Sequence, residues 1–138
     1  SLRPDDDSGM PWTVDAVKGM RGQPATVQGA KLFMDNYAAL VFDDDTTNSV
    51  VGWVLTASPA KFKKKMKDFD YIEGYNPDGT GFYQRAVVSV CLGDPALSIG
   101  GKPVGEEGTY VNAYVYHRPE CSRDHQIKSG DWLRRKEK

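Results

Sequence analysis

An α+β fold in a single domain follows from three observations. Short runs dense in β-branched and aromatic side chains recur along the chain, one stretch carries apolar residues at helical spacing, and Gly, Pro, Asn and Asp cluster between them. At 138 residues the chain suits one core, which at this size buries roughly 70% of the surface an unfolded chain exposes. No internal repeat or linker divides it, so residues 1–138 are read as one domain.

The first twelve residues, ending in Met10, Pro11 and Trp12, are rich in Asp, Gly and Pro and read as an ordered loop at most. Thr13 can cap a short helix over Val14, Ala16, Val17 and Met20, interrupted by Gly22 and Pro24. Ala25 to Met34 alternates apolar and polar residues, and Tyr37 to Phe42 follows as a second run, with Asp35 and Asn36 turning between them, so the two read as a hairpin-like pair. Ser49 to Ala57, with Val50, Val51, Trp53, Val54 and Leu55, reads as a largely buried strand.

Ser58 before Pro59 is a helix-start signal, because a serine oxygen can accept an orphan amide and proline fits the first helical position. Phe62, Met66 and Phe69 then fall on one helical face, while Lys61, Lys63, Lys64, Lys65 and Lys67 fill the rest as a solvated surface. That helix gives way near Glu73 and Gly74. A turn-rich stretch around Asn76, Pro77 and Asp78 leads to a strand over Phe82 to Leu92, and a further strand runs from Thr109 to Tyr116. Gly93 to Gly108, polar and rich in glycine, reads as a mobile surface loop or a functional lid. Ile127, Trp132 and Leu133 supply apolar anchors for a terminal turn or helix.

Eighteen basic and nineteen acidic residues leave a formal charge of −1, so no global field draws the chain to nucleic acid or to an anionic membrane. No stretch approaches the roughly 20 apolar residues of a membrane helix, and the acidic start has no basic-then-apolar pattern. Cys91 and Cys121 lack metal-ligand spacing and read as reduced thiols, and His117 and His125 have no partner motif nearby. The aspartates at 5–7 and 43–45 lack the spacing of a calcium loop and read as solvated turns. These features point to a cytoplasmic protein without a metal site.

Glu73 is the carboxylate with the most suggestive setting, since it follows Phe69, Tyr71 and Ile72 and precedes a glycine. Apolar surroundings disfavour its charged form and can poise it as a general base and then acid. Local sequence alone favours an exposed loop glutamate over a catalytic one.

Phe69, Asp70, Tyr71, Ile72, Glu73 and Gly74, then Tyr83, Gln84, Arg85 and the strand Ala86 to Val90, resemble the signature of the gamma-glutamyl cyclotransferase-like (AIG2-like) family. Val51, Gly52 and Trp53, the run Ala113 to Tyr116, and the segment Ile127, Ser129, Gly130, Asp131 and Trp132 fit further family features in order. Ser1, Leu2 and Arg3 look like the second half of a family turn whose preceding strand, tyrosine and glycine do not occur in this sequence.

The resemblance implies a small twisted mixed β-barrel with flanking short helices. It also implies a reaction in which the free α-amine of a γ-glutamyl group attacks its own γ-carbonyl, releasing an amine or peptide and forming 5-oxoproline. Glu73 would manage the protons, and backbone amides around Ser1 and Leu2 would hold the substrate's negative charge. Tyr83 and Tyr116 would line the pocket, each having simple packing as its alternative. Arg85 would bind the substrate carboxylate or pair with Asp70. No cofactor is implied, and the partner is a small γ-glutamyl molecule. A binding or regulatory module that keeps the fold without turnover is the rival reading, because fold does not dictate function.

Overall fold

The computed structural model describes residues 17–78 and 80–135. Six strands and one α-helix are present among them: β1 (Arg21–Gln28), β2 (Ala30–Asp35), β3 (Tyr37–Phe42), β4 (Ser49–Thr56), α1 (Pro59–Ile72), β5 (Gln84–Leu92) and β6 (Tyr110–His117). Short 3₁₀ turns cover Pro95–Leu97 and Trp132–Arg134. Four strands form an antiparallel sheet in the order β4-β1-β5-β6, and β2 pairs with β3 as a separate hairpin. The sheet curls into a half-barrel. An isolated parallel bridge between Val51 and Asp131 joins the C-terminal segment to β4.

The hairpin forms over a shorter first strand than expected, because Gly29, with φ 71°, breaks the run and Ala25 to Gln28 belong to β1. The chain reverses at Asn36, whose φ of 63° suits a short polar side chain better than a branched one. Leu32 and Leu40 sit opposite each other in its register and bury against Ala30, Val50 and Ile127. A second cluster of Ala25, Val90 and Leu92 lines the curled sheet, and a third joins Met20 to Phe69 beneath α1. Phe69 ends the apolar stripe, and Phe62 stacks on Tyr114 with ring centroids 6.4 Å apart.

Several expectations are corrected. Gly22 and Pro24 do not interrupt a helix but lie inside β1. Proline is tolerated there because its carbonyl, which accepts the Gly93 amide at 2.7 Å, faces the loop that follows β5. The nitrogen of the same residue points the same way in an antiparallel strand, so the missing N–H falls outside the β4 ladder. The remainder of the expected N-terminal helix, with Thr13 and Val14, lies outside the described residues. Ser58 precedes α1 without making a side-chain cap. Leu133 is exposed, leaving Ile127 and Trp132 as the terminal anchors.

The segment from Gly93 to Gly108 is tied down. The amide of Gln23, a fully buried residue, donates to the carbonyls of Gly93 and Gly105 at 2.9 and 3.0 Å and accepts from the amides of Val104 and Gly105 at 2.9 and 3.1 Å. Ile99 and Gly22 exchange backbone bonds of 2.9 Å each. Every polar atom of one buried side chain is thus spent on this segment, which is why it holds a defined course without an apolar pattern of its own.

The strand over Ser49 to Ala57 is less buried than its composition suggests. Val50 alone is buried, and Val51 to Ala57 are half-buried. The cause is a cavity of about 790 Å³ on the concave side of the sheet, bordered by Gly52 to Ala57 and by Val111 to Tyr116. Consecutive residues of both edge strands line it, so their backbone edges as well as one face open onto it.

Candidate functional site

The end of α1 carries Glu73 as its C-cap. Gly74 follows with φ +64°, where its amide donates to the Tyr71 carbonyl at 3.2 Å and that of Tyr75 donates to the Asp70 carbonyl at 2.8 Å. These are the paired bonds of a Schellman ending, and they need a residue without a Cβ at position 74. A β-carbon there would also meet the Cβ of Phe82 at 3.1 Å. The glycine after the acid therefore sets the turn that presents it.

The acid's peptide units are held from the other side as well. The Glu73 carbonyl accepts the Tyr83 amide at 3.2 Å, and the Gly74 carbonyl accepts that of Phe82 at 2.7 Å. Glu73 itself is half-buried. The Tyr83 hydroxyl is pushed well above the ordinary phenol range, first by burial and then by the negative charge of Glu73, with Arg118 pulling the other way. Glu73, Tyr83 and Arg118 therefore share one electrostatic neighbourhood.

Tyr83 donates its hydroxyl to the Ala38 carbonyl. Arg118 lies over the Phe82 ring at 4.1 Å, donates to the Asp35 carbonyl at 3.0 Å and approaches the Asp35 carboxylate at 3.4 Å. Phe82 is in edge contact with Tyr37. Tyr83, a sequence-predicted aromatic near the acid, thus has a partner within the protein.

Behind this turn, the Asp70 carboxylate receives Arg85 Nη1 at 2.7 and 2.6 Å and the Tyr116 hydroxyl at 2.5 Å. Of the two roles open to Arg85, the structure records the pairing with Asp70. The guanidinium lies 4.5 Å from the Tyr75 ring and 4.8 Å from that of Tyr114. Burial alone would lower the Arg85 pKa, but the hydrogen bond and charge of Asp70 outweigh it and raise it. The Tyr116 hydroxyl is raised far above its ordinary value by burial, then by its bond to Asp70 and that residue's charge.

Tyr116 and Phe69 line the cavity of the half-barrel, whereas Glu73 and Tyr83 do not. Ser1 and Leu2 lie outside the described residues. His125 is exposed, and His117 is half-buried with its ring 4.7 Å from that of Phe42. Asp43 pairs with Lys31 at 3.1 Å, and Asp45 turns back onto Thr47. Both thiols are free. Among the described residues no group of His, Cys, Asp and Glu is arranged to hold a metal ion, and no helix is long and apolar enough to cross a membrane. Sequence reasoning missed Gln23, Arg118 and Tyr75. Tyr75 alone carried a local signal, as an aromatic directly after the acid and its glycine.

A curled antiparallel sheet with one helix, and a glutamate at that helix's C-cap, define an α+β fold of the half-barrel kind. The sequence matches the family model described as "Gamma-glutamyl cyclotransferase, AIG2-like" over residues 1–134, so the chain belongs to that family. The family suggests cyclotransferase activity on a small molecule. Among solved structures the chain is similar to an uncharacterized protein, PH0828, from Pyrococcus horikoshii. The TM-score is 0.51 at 17% identity, covering 91% of this chain and 80% of that one, a likeness that speaks to the fold. No curated protein matches it.

Proposed function

We propose that this protein is a gamma-glutamyl cyclotransferase-type enzyme that converts a γ-glutamyl amine or peptide into 5-oxoproline and a free amine. The observation that carries the reading is the C-cap placement of Glu73, a half-buried acid with its peptide units bonded on both sides, in a chain of this family. Glu73 takes a proton from the substrate α-ammonium. The amine nitrogen attacks the γ-carbonyl carbon and gives up a second proton as the lactam C–N bond forms and the bond to the leaving nitrogen breaks, and Glu73 relays both protons to that nitrogen, which departs as an ammonium. Proton handling of this kind contributes about 10²- to 10⁴-fold, and holding the substrate folded supplies much of the rest.

In this reading the turn around Ser1 and Leu2 binds the substrate's negative charge through backbone amides, and Tyr83 and Tyr116 contribute walls rather than free hydroxyls. The chain acts as one domain in the cytoplasm, on a γ-glutamyl metabolite such as glutathione.

The test incubates the protein with glutathione, γ-glutamyl amino acids and γ-glutamyl-ε-lysine and follows 5-oxoproline. Turnover of any of these is expected, with Glu73→Gln abolishing it while the melting temperature stays near that of the parent. No product from any substrate would return the protein to the class of binding modules.

A further inference from the structure

We propose that Asp70, Arg85 and Tyr75 form a clamp that positions Glu73, with Arg85 acting on the turn and not on the substrate. The inference rests on Glu73 being the acid of the proposed reaction.

Asp70 holds Tyr75 twice. Its main-chain carbonyl accepts the Tyr75 amide at 2.8 Å, closing the turn over Glu73 and Gly74. Its carboxylate fixes Arg85 through two contacts of 2.7 and 2.6 Å, and the guanidinium carries the Tyr75 ring at 4.5 Å. Tyr116 donates to the same carboxylate at 2.5 Å, and the Tyr114 ring lies 4.8 Å from the Arg85 guanidinium. The acid therefore lies inside a loop of contacts that starts and ends on one residue of α1, three positions before it.

The other wall is β5. Arg85 stands two residues beyond Tyr83, whose amide bonds the Glu73 carbonyl, so the residue leading into the strand that anchors the clamp also anchors the acid's own peptide. Rotation of the Glu73–Gly74 turn would break contacts on both walls at once.

The charges explain why the role is geometric. Arg85 and Asp70 neutralise each other at contact distance, with aromatic rings over the guanidinium, so the pair adds no net charge beside Glu73. Both donors to Asp70 are already directed, and Arg85 would have to abandon that pairing to bind a substrate carboxylate. A pair that positions an acid without changing its charge environment affects turnover and leaves the pH dependence alone.

The experiment compares Arg85→Met, Arg85→Lys and Tyr75→Leu with the parent chain in steady-state 5-oxoproline formation across pH and in amide hydrogen exchange. Arg85→Met is expected to lower kcat about 10- to 100-fold with KM unchanged, since small misplacements of a reacting group cost this much. It should also raise the apparent pKa of the rate profile, because Asp70 is left uncompensated near Glu73, whereas Tyr75→Leu keeps the pair and should leave that pKa unchanged. Exchange at Gly74, Tyr75 and Tyr83 should accelerate while the β5–β6 ladder beyond Val87 stays protected. Arg85→Lys should restore little, because an ammonium lacks the flat face that meets the Tyr75 and Tyr114 rings. A raised KM at unchanged kcat would overturn the clamp and make Arg85 a substrate ligand. If Arg85→Met does not fold, Tyr75→Leu removes only the stacked ring, and unchanged kcat and exchange in that variant also overturn it. Should the parent chain turn over nothing, the proposed reaction falls, and exchange in the same variants still decides the clamp: acceleration supports it and unchanged rates overturn it.

Discussion

The two sides of the half-barrel are built on opposite principles. Where α1 ends, polar and aromatic groups from α1, β5 and β6 are bonded to one another, and a charged pair is neutralised in place. Between β4 and β6, by contrast, the walls are mostly apolar and leave about 790 Å³ unfilled. Protein interiors are ordinarily packed to crystal-like density, and this hollow, open to solvent on part of its boundary, lies outside that packing. The difference teaches where this chain has specified geometry and where it has specified only apolar character. A fixed acid needs the first. A surface that receives another element or a molecule needs the second.

The largest expected effect tests the bonded side. Glu73→Gln keeps the shape and the backbone bonds of the turn, and it should lower 5-oxoproline formation by about 10²-fold or more with little change in melting temperature. A variant that loses its fold instead would make the corner a structural device, and the contrast between the two sides would then be one of packing alone.

Next is Gln23, which ties the loop after β5 to one end of the hollow through four hydrogen bonds. Gln23→Ala leaves loop amides and carbonyls without their partner, and urea denaturation should register a loss of about 2–3 kcal/mol. Limited proteolysis should then cut between Gly93 and Gly108. A stable, uncut variant would mean that Val104 and Ile99 hold the loop by packing and that the hollow's end needs no polar pin.

Gln23 also marks how far the sequence could be read. The hairpin, the stripe of Phe62, Met66 and Phe69, and the junction at Glu73 were legible because each depends on neighbours within a few positions. The partners of Gln23 lie 70 and 82 positions away, so a glutamine between a glycine and a proline looked like part of a break. Likewise Arg85 and Asp70 could be paired on charge, but nothing local announced that Tyr75 would stack on the pair. The burial of β4 was overestimated because Val50 to Leu55 report apolar character, whereas burial depends on what stands opposite. Glu73, Tyr83 and Tyr116 were singled out from pattern and resemblance together. Arg118 was missed, since its meaning comes from Asp35, Phe82 and Tyr83 meeting around it.

The hollow is probed by Gly52→Val. A β-carbon at Gly52 meets nothing within 4 Å, and a β-branched residue suits a strand better than glycine. In this chain the substitution should raise stability by about 1 kcal/mol, or about 3–5 °C in melting temperature. A fall instead would show that the space at Gly52 is already taken in solution.

The smallest effect returns to the bonded side. His117 closes β6 opposite Gln84, with its ring against Phe42, and burial holds its pKa below the ordinary value. The unfolded chain therefore takes up the proton at higher pH than the folded one. Its contribution to stability is complete above the unfolded value of about 6.5 and is lost as pH falls through the lower folded value. Melting temperatures measured from about pH 7.5 down to about pH 5 should decline slightly less steeply for His117→Phe than for the parent. Equal slopes would mean that the imidazole is solvated in both states, and the sheltered region around Glu73 would then stop short of the end of β6.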